Sequence, residues 1–344
     1  DHTKSPFPRQ FLTRRLQTTI VDARSIILAG RRTDLLDHLF ITHRELVNSA
    51  GRWKPFSRAF YRVLEELPSK VRSIPVDRFT AWRNPRMIEL IALSELEIGL
   101  SGYSPNTQER ILMEAVVLQR MQDTLEILHK KQNTQTRRDR NHAYKLRNAR
   151  NVLGAMIQHR LTILFVEMNE AELEKLHALG ENSALDTEQW TRTLTGACSA
   201  ARVVKALWSS DWKLHIFLTS VEEDSHLYLD LLVTLDVAPG KGLAMGIRTN
   251  NNRSYIRTEV VESELDEHSE ESWVIDSRKI WFGAEQLSAR MNRPWIPTRV
   301  QVGRPDISLT LEVSKIDRRG VCSLLTRVPH LWRNENAEAH SASA

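Results

Sequence analysis

Apolar residues recur every three to four positions from near the start of the chain to about residue 160, and at Leu161 that period breaks. A helix needs this 3.6-residue rhythm to bury one face, whereas a short unbroken apolar run of β-branched and aromatic residues suits a strand. The helical rhythm appears in Leu12, Leu16, Ile20, Ala23 and Ile27, closed by Gly30, and again from Leu35 to Val47 before Gly51. Pro55 and Pro68 bracket a third helix around Phe56, Phe60, Val63 and Leu64, and Asn84-Pro85 opens a fourth. Ser104-Pro105 opens the fifth and longest, with Ile111, Leu112, Ala115, Leu118, Met121, Leu125 and Leu128 on one stripe until Gln132-Asn133-Thr134-Gln135. A sixth covers about 136–159.

The run Leu161-Thr162-Ile163-Leu164-Phe165-Val166 predicts a first strand directly after that helix. Asp186 with Gln189 has the form of a capping box for a helix carrying Trp190, Leu194, Ala197, Ala201, Val204 and Leu207. Two further runs, Trp212–Ser220 and His226–Val237, predict a hairpin, and weaker strand signals follow at Tyr255–Val261, Ser272–Ile275, Thr298–Val302 and Ile307–Val313, with a short helix near Ala284–Met291. The expected class is α+β: a helical region over 1–160, a mixed or antiparallel sheet domain over 161–333 opening β-α-β-β, and a disordered tail over 334–344.

Charge follows the same division. Residues 1–160 hold 28 Lys+Arg against 16 Asp+Glu, and residues 161–344 hold 20 against 27, so the overall +5 conceals a basic amino-terminal part. No apolar run approaches the roughly 20 residues of a membrane span, and Asp1-His2-Thr3-Lys4 lacks the apolar core of a secretory signal. Cys198 and Cys322 form no CxxC or His/Cys metal spacing. These features predict a cytoplasmic protein in a reducing compartment, with no membrane partner.

The basic charge is densest in Lys130, Lys131, Arg137, Arg138, Arg140, Lys145, Arg147 and Arg150, with Asp139 as the one acid between them. Arg137, Arg140, Tyr144 and Arg147 share one helical face, and Ala143, Leu146, Leu153 and Ile157 supply a packing face. A row of guanidinium groups suits a phosphate backbone, because neutralising phosphates releases counterions and Arg adds forked hydrogen bonds. The same charges can instead meet the acidic part of the chain or water. Glu259, Glu262, Glu264, Asp266, Glu267, Glu270 and Glu271 form an acidic stretch able to cover the basic helix as a nucleic-acid mimic.

Chemistry is sought in the predicted hairpin. If His226-Leu227-Tyr228-Leu229-Asp230 is a strand, His226, Tyr228 and Asp230 lie on one face as candidate catalytic residues or ligands of a divalent cation, with Glu167 as a further carboxylate. A tight hairpin centred on Glu223 sets Leu218 opposite Tyr228 and Ile216 opposite Asp230, leaving His215 among leucines on the other face. Ala238-Pro239-Gly240-Lys241-Gly242 reads as a tight turn rather than a phosphate cradle.

A basic helix running into a first strand (Arg147 through Met168), then a helix, the strand pair Leu214–Asp236 and a later helix ending near Leu324-Leu325-Thr326-Arg327 resembles the replication-initiator-like proteins of filamentous phages and related mobile elements. That family is similar to HUH endonucleases, in which two histidines flanking a hydrophobic residue hold a metal and a tyrosine attacks a DNA phosphate. Here His226-Leu227-Tyr228 lacks one ligand, and no tyrosine precedes Thr326-Arg327. The resemblance implies a DNA-binding protein of replication rather than an intact nickase. Two other functions remain open from sequence: a non-catalytic assembly or regulatory protein that binds an acidic protein partner or forms a homo-oligomer, and a metal-dependent nuclease.

Overall fold

A computed structural model describes residues 53–76, 91–94, 107–132, 135–182, 185–236, 240–250, 254–261, 271–304 and 309–327, with a few single positions besides. The helices expected before residue 52, the opening at Asn84-Pro85, the acidic residues 262–270 and the tail from 334 lie outside the described residues. The protein is α+β, with helices first and a five-stranded mixed sheet after them. It divides into two compact units at Cys198/Ser199.

The unit spanning 26–198 is helical where described. It holds α1 (Trp53–Ser73), α2 (Thr107–Lys130), α3 (Arg137–Phe165), α4 (Glu170–Asn182) and the first half of α5 (Thr187–Trp208). Pro68 does not end α1 as expected; it lies inside the helix, where Leu64, Leu67 and Val71, each 0% exposed, hold the chain on course. The largest departure concerns 161–166, which is not a strand but the last turn and cap of α3. No Gly or Pro interrupts the helix between Gly154 and Val166, and Leu153, Ile157, Leu161 and Leu164 continue the buried stripe begun by Leu146 and Ala149. A segment buried all round satisfies helix and strand templates alike, so periodicity could not separate them. The next helix starts from a reciprocal cap in which Asn169 and Glu172 exchange backbone-to-side-chain hydrogen bonds of 2.9 and 3.0 Å.

Between α2, α3 and α5 the packing is polar as well as apolar. Gln119 donates to the Asp123 carboxylate at 2.8 Å and accepts from the Thr193 hydroxyl at 2.8 Å. Gln122 donates to the Arg150 carbonyl at 3.0 Å. The other oxygen of Asp123 accepts the Asp186 backbone N–H at 2.9 Å, and Asp186 in turn accepts the Gln189 N–H at 2.9 Å, the cap expected from the sequence.

The second unit contains the sheet. Its strands are β1 (Leu214–Leu218), β2 (Leu231–Leu235), β3 (Gly242–Asn250), β4 (Ile256–Val260) and β5 (Trp295–Gly303), in the order β1-β2-β3-β5-β4. All pairs are antiparallel except β3–β5. A short helix α6 (Val221–Leu227) joins β1 to β2, a longer helix α7 (Ser272–Met291) precedes β5, and α8 covers 315–327. The strand signal at Ser272–Ile275 and the short helix near Ala284–Met291 are two ends of α7, whose Val274, Ser277, Ile280, Ala284 and Leu287 are buried at helical spacing. Residues 309–314 carry no strand.

Side chains alternate across a sheet, so its two faces meet different neighbours. Leu232 and Ala244 pack with Ile280, Ala284 and Leu287 of α7 and with Leu227 of α6. The approach there is close: a Cβ on Gly283 would stand 2.1 Å from the Leu227 carbonyl oxygen. On the opposite face the Ser199 and Thr249 hydroxyls are 2.8 Å apart, and Thr258 donates to the Gly320 carbonyl at 3.0 Å.

Candidate nucleic-acid interface

The basic segment is ordered by its own cap. Thr136 accepts the Asp139 N–H at 3.1 Å, and Asp139 accepts the Thr136 hydroxyl at 2.7 Å and its N–H at 3.3 Å, fixing the first turn of α3. These bonds hold the Asp139 carboxyl below its usual pKa range, so it stays ionised and serves the cap. Behind this turn Leu146, Ala149, Leu153 and Ile157 are buried, so the outer face is fixed by packing.

Of the eight sequence-derived candidates, Lys130, Lys131, Arg137, Arg138, Arg140 and Arg147 are exposed and Lys145 and Arg150 half-buried. Arg150 forms an ion pair with Glu126 of α2, which also holds Lys130 at 3.5 Å, so these two cations are partly committed inside the helical unit. Arg140 donates to the Gln135 carbonyl at 3.2 Å. Among the described residues Arg137, Arg138 and Arg147 form no ion pair, and Arg147 lies over the exposed Tyr144 ring, 5.5 Å from its centre. The row therefore presents guanidinium groups and one aromatic ring to solvent. The charge contrast of the halves is weaker between the structural units: residues 26–198 hold 25 Lys+Arg against 21 Asp+Glu, and residues 1–25 with 199–344 hold 23 against 22. What is concentrated is the patch rather than the unit.

The hairpin residues separate. His226 is on α6, Tyr228 is that helix's C-cap in the left-handed region at φ 59°, and Asp230 precedes β2. The true register sets Leu218 opposite Leu231 and Ile216 opposite Val233, so the strand face proposed for His226, Tyr228 and Asp230 does not form. The reason was present in the sequence: Ser220 and Glu223 make a capping box, with hydrogen bonds of 2.8 and 3.2 Å, that starts a helix where a loop was expected. His226 is exposed and its Nδ1 lies 2.7 Å from the Ser225 hydroxyl. The Asp230 carboxylate is occupied, accepting the Ile247 N–H at 2.7 Å with Arg248 at 3.4 Å. Tyr228 lies under the Lys279 ammonium at 4.9 Å. His215 is not in a core but exposed on edge strand β1, 2.9 Å from Asp236. Glu167 follows α3 rather than lying on a strand.

Among the described residues no three His, Cys, Asp or Glu side chains converge to hold a metal ion. At the Gly240-Lys241-Gly242 turn the Gly242 N–H donates to the Pro294 carbonyl at 3.2 Å, so it is engaged in the fold. No described helix is long and apolar enough to cross a membrane. Comparison with protein-family models, with curated proteins and with solved structures gave no match.

Proposed function

We propose that the protein binds nucleic acid, and DNA in the first place, through the amino-terminal turns of α3, as a replication-initiator-like protein of a mobile element. The observation that carries this reading is that Arg137, Arg138 and Arg147 project from one capped, packed helix without an ion-pair partner among the described residues. Such a row neutralises phosphates without reading sequence, and its affinity falls steeply with salt. Arg140 and Lys145 extend the same patch.

A second reading has support in the same helix, because Arg150 already donates to the Glu126 carboxylate. An acidic protein partner could use the exposed cations in that way, making the chain an assembly or regulatory protein. Competition separates the two. A labelled DNA duplex, a single strand and an RNA are tested for mobility shift with the full chain, and polyglutamate is added as competitor at equal charge. Nucleic acid displaced only by a large excess of polyglutamate supports the first reading; a preference for polyglutamate supports the second.

A further inference from the structure

Arg299 of β5 is only 6% exposed, yet its sole hydrogen bond among the described residues is one of 3.4 Å to the Ser277 hydroxyl, and its Nε–H has no partner. No carboxylate of the described residues lies within ion-pair distance of it. A buried guanidinium in this condition is unfavourable, since its lost hydration is not replaced. Charges of both signs surround it. Arg248, Gln301 and Arg257 stand side by side on β3, β5 and β4, and the next rung of the same face holds Gly246, Arg299 and Glu259. Burial lowers the pKa of Arg299, Glu259 and Asp276 raise it, and Arg248 and Arg257 lower it further. Asp276 and Asp230 are drawn to Arg248, at 3.7 and 3.4 Å. Arg257 is exposed and forms no ion pair among the described residues.

We propose that Arg299, with Arg257 and the Ser277 hydroxyl, forms an oxyanion site on the α7 side of the sheet that takes a phosphate group, walled by the Trp273 ring. Two guanidinium groups from neighbouring strands on one sheet face and a hydroxyl from a helix are a donor set that suits a tetrahedral oxyanion better than the planar fork of one carboxylate. Trp273 is 44% exposed, and the Arg299 guanidinium lies 5.8 Å from its ring, so the phosphate would be flanked by a surface for a nucleobase. Glu271 holds the indole N–H of Trp273 and fixes that ring at the rim. The phosphate can be that of a free mononucleotide or of a nucleic-acid strand.

The full chain is unfolded thermally in rising inorganic phosphate at constant ionic strength, because excluded anions also stabilise proteins without a site. A saturable rise in Tm is expected for the wild type. Arg299→Met removes the response without lowering Tm in phosphate-free buffer, since an unpaired buried cation has been lost. Arg257→Gln, at an exposed position, weakens the apparent phosphate affinity at least tenfold, and Trp273→Phe abolishes a phosphate-linked fluorescence change while keeping the Tm response. An equal response in the wild type, Arg257→Gln and Arg299→Met overturns the site, as does a large fall in Tm of Arg299→Met without phosphate, which would mean an internal partner. Adenosine monophosphate and a short oligothymidine are then compared with phosphate in a chain carrying Arg137→Gln, Arg138→Gln and Arg140→Gln, so that the basic helix does not report. Tighter binding of the mononucleotide or of the strand identifies the source; no gain for either contradicts the role of Trp273.

Discussion

Arg202 and Asp317 form an ion pair at 2.9 Å with side chains only 4% and 0% exposed. Asp317 also accepts the Ile256 N–H at 2.6 Å and the Ser314 N–H at 3.0 Å, so one carboxylate joins α5, the start of β4 and the start of α8. Arg202 further donates to the Gly303 carbonyl of β5 at 2.5 Å. Breaking one side of such a pair leaves a buried charge, at a cost of about 3–5 kcal/mol. Asp317→Ala is therefore expected to lower unfolding stability by that amount in urea titration. A double change, Arg202→Met with Asp317→Leu, should recover part of the loss, because no charge remains buried.

Burial raises the Asp123 carboxyl from its usual value to about 6, against the opposing hydrogen bonds from the Asp186 N–H and Gln119 and the attraction of Arg120. The folded chain therefore holds a proton that the unfolded chain releases near pH 4. The stability contributed by Asp123 is fully present below the unfolded value and is lost as pH rises through about 6. At about 1.4 kcal/mol per unit, the loss is on the order of 3 kcal/mol. Asp123→Asn should flatten the wild-type fall in Tm between pH 4 and 6.5. Parallel profiles for the two proteins would contradict this.

Gly283 lets α7 touch the carbonyl of Leu227, since a Cβ would lie 2.1 Å from that oxygen. Gly283→Ala should raise helix propensity by about 1 kcal/mol but force the two helices apart, for overpacking of roughly 1–3 kcal/mol. A net loss in chemical denaturation is expected, with altered exposure of Tyr228 at the end of α6.

The division into helices followed by a sheet was legible, because amphipathic stripes such as Leu112 to Leu128 and the packing face of Leu146, Leu153 and Ile157 have only one good helical solution. So were β4, the core of β5 and the Asp186 cap. Leu161–Val166 misled because a run buried on every side carries no period. The His226 face misled for a different reason: alternation over five residues was read as a strand and the Ser220–Glu223 capping box was not recognised, although it begins the helix that carries His226. β3 was missed, its Gly242 being read as part of a turn; all but Arg248, Thr249 and Asn250 of its residues are buried, so it shows no polar alternation. The basic patch was legible in composition, but its partial commitment through Glu126 depends on a helix pair that sequence spacing does not reveal. Arg299 could not be singled out at all, since its isolation depends on strand register.

Salt dependence of DNA binding reads out how many phosphates the α3 face neutralises. Each neutralised phosphate contributes a slope of about −0.9 to log K against log salt for duplex DNA and about −0.7 for a single strand. The full chain and a variant with Arg137, Arg138, Arg140 and Arg147 changed to Gln are titrated with DNA across a salt series. Weaker binding with a slope shallower by about 3 to 4 on duplex is the expected result. The same affinity and slope in both proteins would contradict the α3 interface.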